Sequence, residues 1–196
     1  MVINDRYKFV YIRVAKTGST SCIESLPFNS NGWVETRPSI NDDWKYDKHH
    51  VPLWYYKDNI LTPDEYKSYF KFAFVRNPFD RLVSVWKYAM KWSKENGHSH
   101  EEFPSFNEWI KTPHQMYKYG DQYTFVKGCN FIGKLENIQC DFNFICDRIG
   151  IQRVTLPVTN RTEHKHYTKY YNKESISIVK HRYSNDIKHF NYEFEK

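Results

Sequence analysis

Residues 16–21, Lys-Thr-Gly-Ser-Thr-Ser, set one ammonium group and four small hydroxyls (Thr17, Ser19, Thr20 and Ser21) around the single glycine Gly18. They stand where the apolar run 8–14 gives way to a helix-type pattern over 20–26. A turn of that kind aims several backbone N–H groups at one point, and a phosphate or sulfate suits such donors with a lysine beside them. A second stretch, 72–86 (FAFVRNPFDRLVSVW), has the same kind of chemistry. Arg76 closes an apolar run, Asn77 and Pro78 are a cap and a first helical residue, and Ser84 follows the arginine by eight positions. That spacing is about two helical turns, so a guanidinium fork and a hydroxyl can meet one phosphate. Each stretch also has a plainer reading. The first is then a polar turn whose Ser and Thr only cap a helix; the second is an arginine paired with Asp80 or Glu136.

A nucleoside triphosphate loop is disfavoured. That motif needs an earlier glycine and a Gly-Lys-Ser/Thr ending, whereas Lys16 precedes Gly18 and no glycine comes before it. Arg76 and Asn77 stand where a magnesium-binding aspartate would follow the second apolar run. For a group that takes up a proton, the sequence offers His49-His50-Val51, between the two stretches. Glu136 is the acidic alternative. His98 with His100, and His164 with His166, have i, i+2 spacing without a cysteine or carboxylate framework, so no metal site is expected.

Joined in one chain, the two stretches resemble the sulfotransferases that use 3′-phosphoadenosine 5′-phosphosulfate (PAPS), above all their carbohydrate branch, with its heparan and uronyl 2-O- and chondroitin-type enzymes. The similarity continues through 131–142 (FIGKLENIQCDF) and into the tail, LPVTNRTEHKHY and YSNDIKHFNYEF. The resemblance implies that Lys16, Thr17, Gly18, Ser19, Thr20 and Ser21 hold the 5′-phosphosulfate end of the donor, with Lys16 assisting the leaving oxygen. It implies that Arg76 and Ser84 hold the 3′-phosphate, and that a late basic loop closes over the nucleotide, with Arg161 and Thr162 as its candidates. It selects His50 over His49 as the base, because a His precedes a Val in this region of the 2-O-sulfotransferases. By position it places acceptor contacts near His114, Gln115 and Gln122, and reads Tyr183, Asp186, Phe190 and Tyr192 as docking the last helix. PAPS would be the donor, without a metal, and the acceptor a hydroxyl on a glycan or small sugar. The other readings are a magnesium-dependent nucleotide kinase and a non-catalytic anion- or glycan-binding protein on the same scaffold.

The elements that must carry these residues follow from periodicity and punctuation. Strands are expected at 8–14, 70–75 and 130–135, and helices at 20–26, from 62 onward, at 78–93, 105–111, 138–149 (closed by Gly150) and 173–189. A terminal extended piece is expected over 190–194. Strands alternating with helices give an α/β fold with a mainly parallel sheet, P-loop-like by resemblance, in which ligands sit at the carboxyl ends of the strands. With 196 residues, one domain over 1–196 with a single core is expected. Trp33, Trp44, Trp54, Tyr55 and Tyr56 can face a sugar or adenine, or simply pack.

The net charge of +6 favours anionic ligands, while the lack of a clustered basic run argues against nucleic acid. No stretch of 18 apolar residues and no signal-peptide pattern is present, so a soluble, cytoplasmic protein without a membrane span is expected. Cys22, Cys129, Cys140 and Cys146 lack CxxC spacing and read as reduced core thiols.

Overall fold

The computed structural model describes residues 2–27, 50–97, 103–112, 120–157 and 165–195. In chain order the elements are β1 (Val2–Asn4), β2 (Phe9–Ile12), α1 (Ser19–Ser25), α2 (Leu53–Asn59), α3 (Pro63–Ser68), β3 (Phe70–Val75), α4 (Pro78–Glu95), α5 (Phe106–Trp109), α6 (Gln122–Val126), β4 (Phe131–Lys134), α7 (Ile138–Ile149), α8 (Lys173–Arg182) and α9 (Ser184–Phe190). Short 3₁₀ turns cover Leu135–Asn137 and Tyr167–Tyr170. The chain divides into two compact units, Met1–Val75 with Thr124–Thr159, and Arg76–Tyr123 with Asn160–Lys196.

The first unit holds the sheet, in the order β1-β2-β3-β4. β1 and β2 form an antiparallel hairpin, with Val2 opposite Tyr11; β2 and β3 run parallel, with Ile12 opposite Ala73; β3 and β4 run parallel, with Val75 opposite Lys134. All four residues of β2 and five of the six in β3 are buried, as parallel strands covered on both faces require. Across this pair Tyr11 stacks on Phe72 at 4.9 Å, while Phe9 meets Phe72 at a tilt and Tyr11 meets Phe74 edge-on. Cys22 and Leu26 pack on them, as do Phe142, Ile145, Cys146 and Ile149 of α7. That spacing of three and four residues is why α7 is helical and why this face is buried. Gly150 ends α7 at φ +73, a left-handed cap that costs glycine least.

The second unit is helical. Pro78 opens α4, and the Asn77 side chain accepts a hydrogen bond from Phe79 N–H at 3.1 Å. Phe79, Leu82, Val83, Val85 and Trp86 of α4 pack with Phe106, Trp109, Tyr167, Val179 and Tyr183. Thr62–Glu65 and Ser105–Glu108 are both complete capping boxes, starting α3 in the first unit and α5 in the second.

Several expectations are corrected. Residues 173–189 are two helices, because Tyr183 leaves helical geometry at φ −111 and ψ 29. Tyr183 N–H still bonds Val179 and Ile187 N–H still bonds Tyr183, so the buried stripe keeps its helical period across the kink. Phe190 is the last residue of α9 rather than part of an extended piece. Strand 8–14 shortens to Phe9–Ile12, and β1, α2 and α6 are additional elements. Among the described residues, one buried apolar cluster lies in the first unit and another in the second. All four cysteines are unbonded, but Cys140 is exposed on α7 and is no core thiol.

Candidate functional site

β2 ends at Ile12, and residues 13–18 carry the chain into α1. Lys16 and Gly18 both take left-handed conformations, φ 67 and φ 77. For lysine that geometry costs on the order of 1 kcal/mol, strain of the kind that collects at binding loops. Between them Thr17 is fully buried, and its hydroxyl donates to the Val14 carbonyl at 2.9 Å. Thr17 therefore closes the turn with its side chain. Gly18 is required twice over: its φ is positive, and a Cβ there would lie 2.7 Å from Ile138 Cδ1 and 2.9 Å from Leu135 Cδ1. The first intrahelical bond of α1 is Cys22 N–H to Gly18 O, so the amides of residues 19–21 lie ahead of it. Ser19 and Ser21 are nearly buried, while Thr20 and Lys16 are half-buried.

His50 belongs to the same unit. Buried Val51 and Leu53 anchor the chain on either side of Pro52, the N-cap of α2, and so fix the residue before them. The ring Nδ1 lies 3.0 Å from the Arg13 carbonyl oxygen. A carbonyl can only accept, so Nδ1 carries the hydrogen and Nε2 is the basic nitrogen of the neutral ring. Arg13 stands three positions ahead of Lys16, a span of at most about 11 Å of chain. Arg13 Nε is buried with no hydrogen-bond partner among the described residues, and so is the hydroxyl of Tyr56 on α2. Burial pushes the Tyr56 phenol well up, against the opposing pull of the Arg13 charge. No sequence signal marks this arginine, since one basic residue at a strand end is commonplace.

Arg76 opens the second unit. Its Nε donates to Asp80 Oδ2 at 2.9 Å, and Nη2 lies 2.8 Å from the same oxygen. The plainer pairing with Asp80 is thus present; it fixes the guanidinium plane and offsets part of its charge. Ser84 is 4% exposed on α4, one turn after Asp80. Gln122 is fully buried and bonded to the Arg76 backbone and to Asp186, so it is corrected from an acceptor contact to an internal one. Asp186 also accepts from Tyr123 N–H, which does dock α9. Trp54 is exposed, while Tyr56 packs inside. His166 is exposed and lies 3.2 Å from the Glu195 carboxylate.

Arg161, Thr162, His49, His114, Gln115, His98, His100, His164, Trp33 and Trp44 lie outside the described residues. Among the described residues no group of three or more His, Cys, Asp or Glu side chains is arranged to hold a metal ion. Nor is any helix among them long and apolar enough to cross a membrane, which bears on spanning alone and lends the cytoplasmic expectation nothing.

The family model described as "Sulfotransferase family" matches residues 1–193. The chain belongs to the sulfotransferase family. Carbohydrate sulfotransferase 10 of Homo sapiens is 25% identical over 96% of this chain and 65% of its own length. Carbohydrate sulfotransferase 10 of Xenopus laevis is 23% identical over 97% of the chain and 66% of its own length. Carbohydrate sulfotransferase 14 of Danio rerio is 25% identical over 86% and 53%. The chain therefore spans about two thirds or less of the length of these sulfotransferases.

Proposed function

We propose that this sulfotransferase-family chain moves a sulfuryl group from PAPS to a hydroxyl on a carbohydrate. The observation that carries the reading is the tether of His50 Nδ1 to Arg13, which ties a ring with a basic Nε2 to the strand end that leads into Lys16. Family membership supplies the reaction class, and the names of the relatives supply a carbohydrate as acceptor.

PAPS, when bound, supplies an electrophilic sulfur and a phosphate leaving group. The loop fits its 5′ end: two left-handed residues flank Thr17, and the amides ahead of the first α1 hydrogen bond suit anionic oxygens. Lys16 stabilises charge on the departing oxygen. His50 Nε2 takes the acceptor hydroxyl proton while Nδ1 keeps the ring in place. Arg76, oriented by Asp80, holds the 3′-phosphate with Ser84, and Arg161 with Thr162 covers the nucleotide. No step asks for a metal.

The test is sulfate transfer from labelled PAPS to a panel of glycans and small sugars, comparing wild type with Lys16→Ala and His50→Asn. Asparagine keeps a donor for the Arg13 carbonyl but offers no basic nitrogen. Each change should lower turnover by roughly a hundredfold or more. Turnover within tenfold of wild type would remove the role assigned to that residue. A kinase would bind ATP with magnesium in preference to adenosine 3′,5′-bisphosphate, and calorimetry with both separates the two. Wild-type protein that transfers no sulfate to any acceptor would instead fit the non-catalytic scaffold.

A further inference from the structure

Gln122 grips Arg76 by its peptide groups. Its Oε1 accepts from Arg76 N–H at 2.9 Å, and its Nε2 donates to the Arg76 carbonyl at 2.8 Å. The side-chain amide thus gives Arg76 the two bonds a neighbouring strand would give, one residue after β3 has ended. Nε2 also donates to Asp186 Oδ2 at 3.0 Å, while Asp186 Oδ1 accepts from Tyr123 N–H at 2.8 Å. Gln122 and Asp186 are both fully buried, in the unit that contains Arg76.

The direction of this chain of bonds is forced. An ionised carboxylate only accepts, so Asp186 draws the Nε2 end of Gln122 toward itself, and Oε1 is left facing Arg76 N–H. Turning the amide over would set oxygen against the Arg76 carbonyl and NH₂ against its N–H. The carboxylate has a charged neighbour, Arg81, itself buried and donating to the Gly120 carbonyl at 3.0 Å. Asp80 then holds the guanidinium, so backbone and side chain of Arg76 are each fixed by a separate partner.

We infer that Gln122 and Asp186 are positioning residues that set Arg76 for a phosphate monoester, the 3′-phosphate of the nucleotide. The inference rests on the role proposed above for Arg76. It gives the buried carboxylate of the tail a function beyond packing α9, because that carboxylate braces the Gln122 amide in the orientation that the Arg76 peptide groups require.

The experiment compares the affinities of adenosine 3′,5′-bisphosphate and adenosine 5′-phosphate by calorimetry. Wild type, Arg76→Ala, Gln122→Glu and Asp186→Asn are measured, with thermal unfolding of each. Gln122→Glu keeps the shape but loses both donated bonds; Asp186→Asn must turn a donor toward Gln122 or toward Tyr123 N–H. Both variants should weaken the bisphosphate by roughly tenfold or more and leave adenosine 5′-phosphate within twofold. If Arg76→Ala alone abolishes the preference for the bisphosphate, the positioning role is overturned while the reading of Arg76 stands. Equal loss for both nucleotides would also overturn it, as a merely structural effect. If Arg76→Ala keeps the preference, the reading of Arg76 itself fails. Amide exchange in the unaltered protein is independent of how well the variants fold. Arg76 N–H should be protected like the amides of β3, and exchange at an open-loop rate would refute the clamp.

Discussion

Gly18→Ala is the sharpest structural test, because two separable costs meet at one atom. A left-handed backbone costs an alanine on the order of 1–2 kcal/mol. The new Cβ would also stand 2.7 Å from Ile138 Cδ1 and 2.9 Å from Leu135 Cδ1, so both side chains must retreat. Such overpacking typically costs about 1–3 kcal/mol. A stiffer unfolded chain returns roughly 0.4–1 kcal/mol. The net loss is therefore about 1–4.6 kcal/mol, or roughly 2–18 °C in Tm for a chain of this size, read by circular dichroism. Ile138→Val deletes the very methyl that the Cβ would strike, at a cost of its own of about 0.5–1.5 kcal/mol. The double variant Gly18→Ala/Ile138→Val should thus be more stable than the sum of the single changes implies, with coupling of about 1 kcal/mol. The backbone part of the cost should remain. A Tm for Gly18→Ala within a degree of wild type, or strictly additive changes, would refute the close packing described for this loop.

Two further outcomes follow from burial and capping. Alkylation of the native protein with N-ethylmaleimide near pH 8, followed by mass spectrometry, should mark Cys140 first. Burial pushes the Cys22 and Cys129 thiols up to about 12 and raises Cys146 as well, and only the thiolate reacts; rapid modification of Cys22 would contradict the packing of α1 on the sheet. Thr62→Ala breaks the capping box of α3 and should lower Tm by roughly 2–4 °C, the effect of about 1 kcal/mol, whereas Thr62→Ser should keep most of it.

What the sequence displayed most clearly were elements with strong local causes. β3 agrees with its expected span to the residue because its apolar run is bounded on both sides. α7 agrees because Phe142, Ile145, Cys146 and Ile149 repeat at helical spacing and Gly150 stops them. β1 was illegible at three residues, too short to show alternation, and α2 is a run of mixed aromatics and charges with no period. The kink at Tyr183 had no glycine or proline to announce it. In the candidate site, residue types singled out the Lys16 loop and Arg76 as anion-type segments. They offered Asp80 and Glu136 alike as partners of the guanidinium, of which Asp80 is the one it meets, and they did not disclose that the Thr17 hydroxyl points inward or that Asp186 reaches Gln122 across 64 positions. Those facts depend on tertiary contact, and no local pattern encodes them.

The imidazole of His50 is moored through a hydrogen that it keeps in both its neutral and its charged form. Gaining or losing a proton at Nε2 therefore leaves the mooring to Arg13 unbroken. In the proposed role of base, the ring would take up and release a proton without a rotamer flip and without rebuilding the contact that aims it.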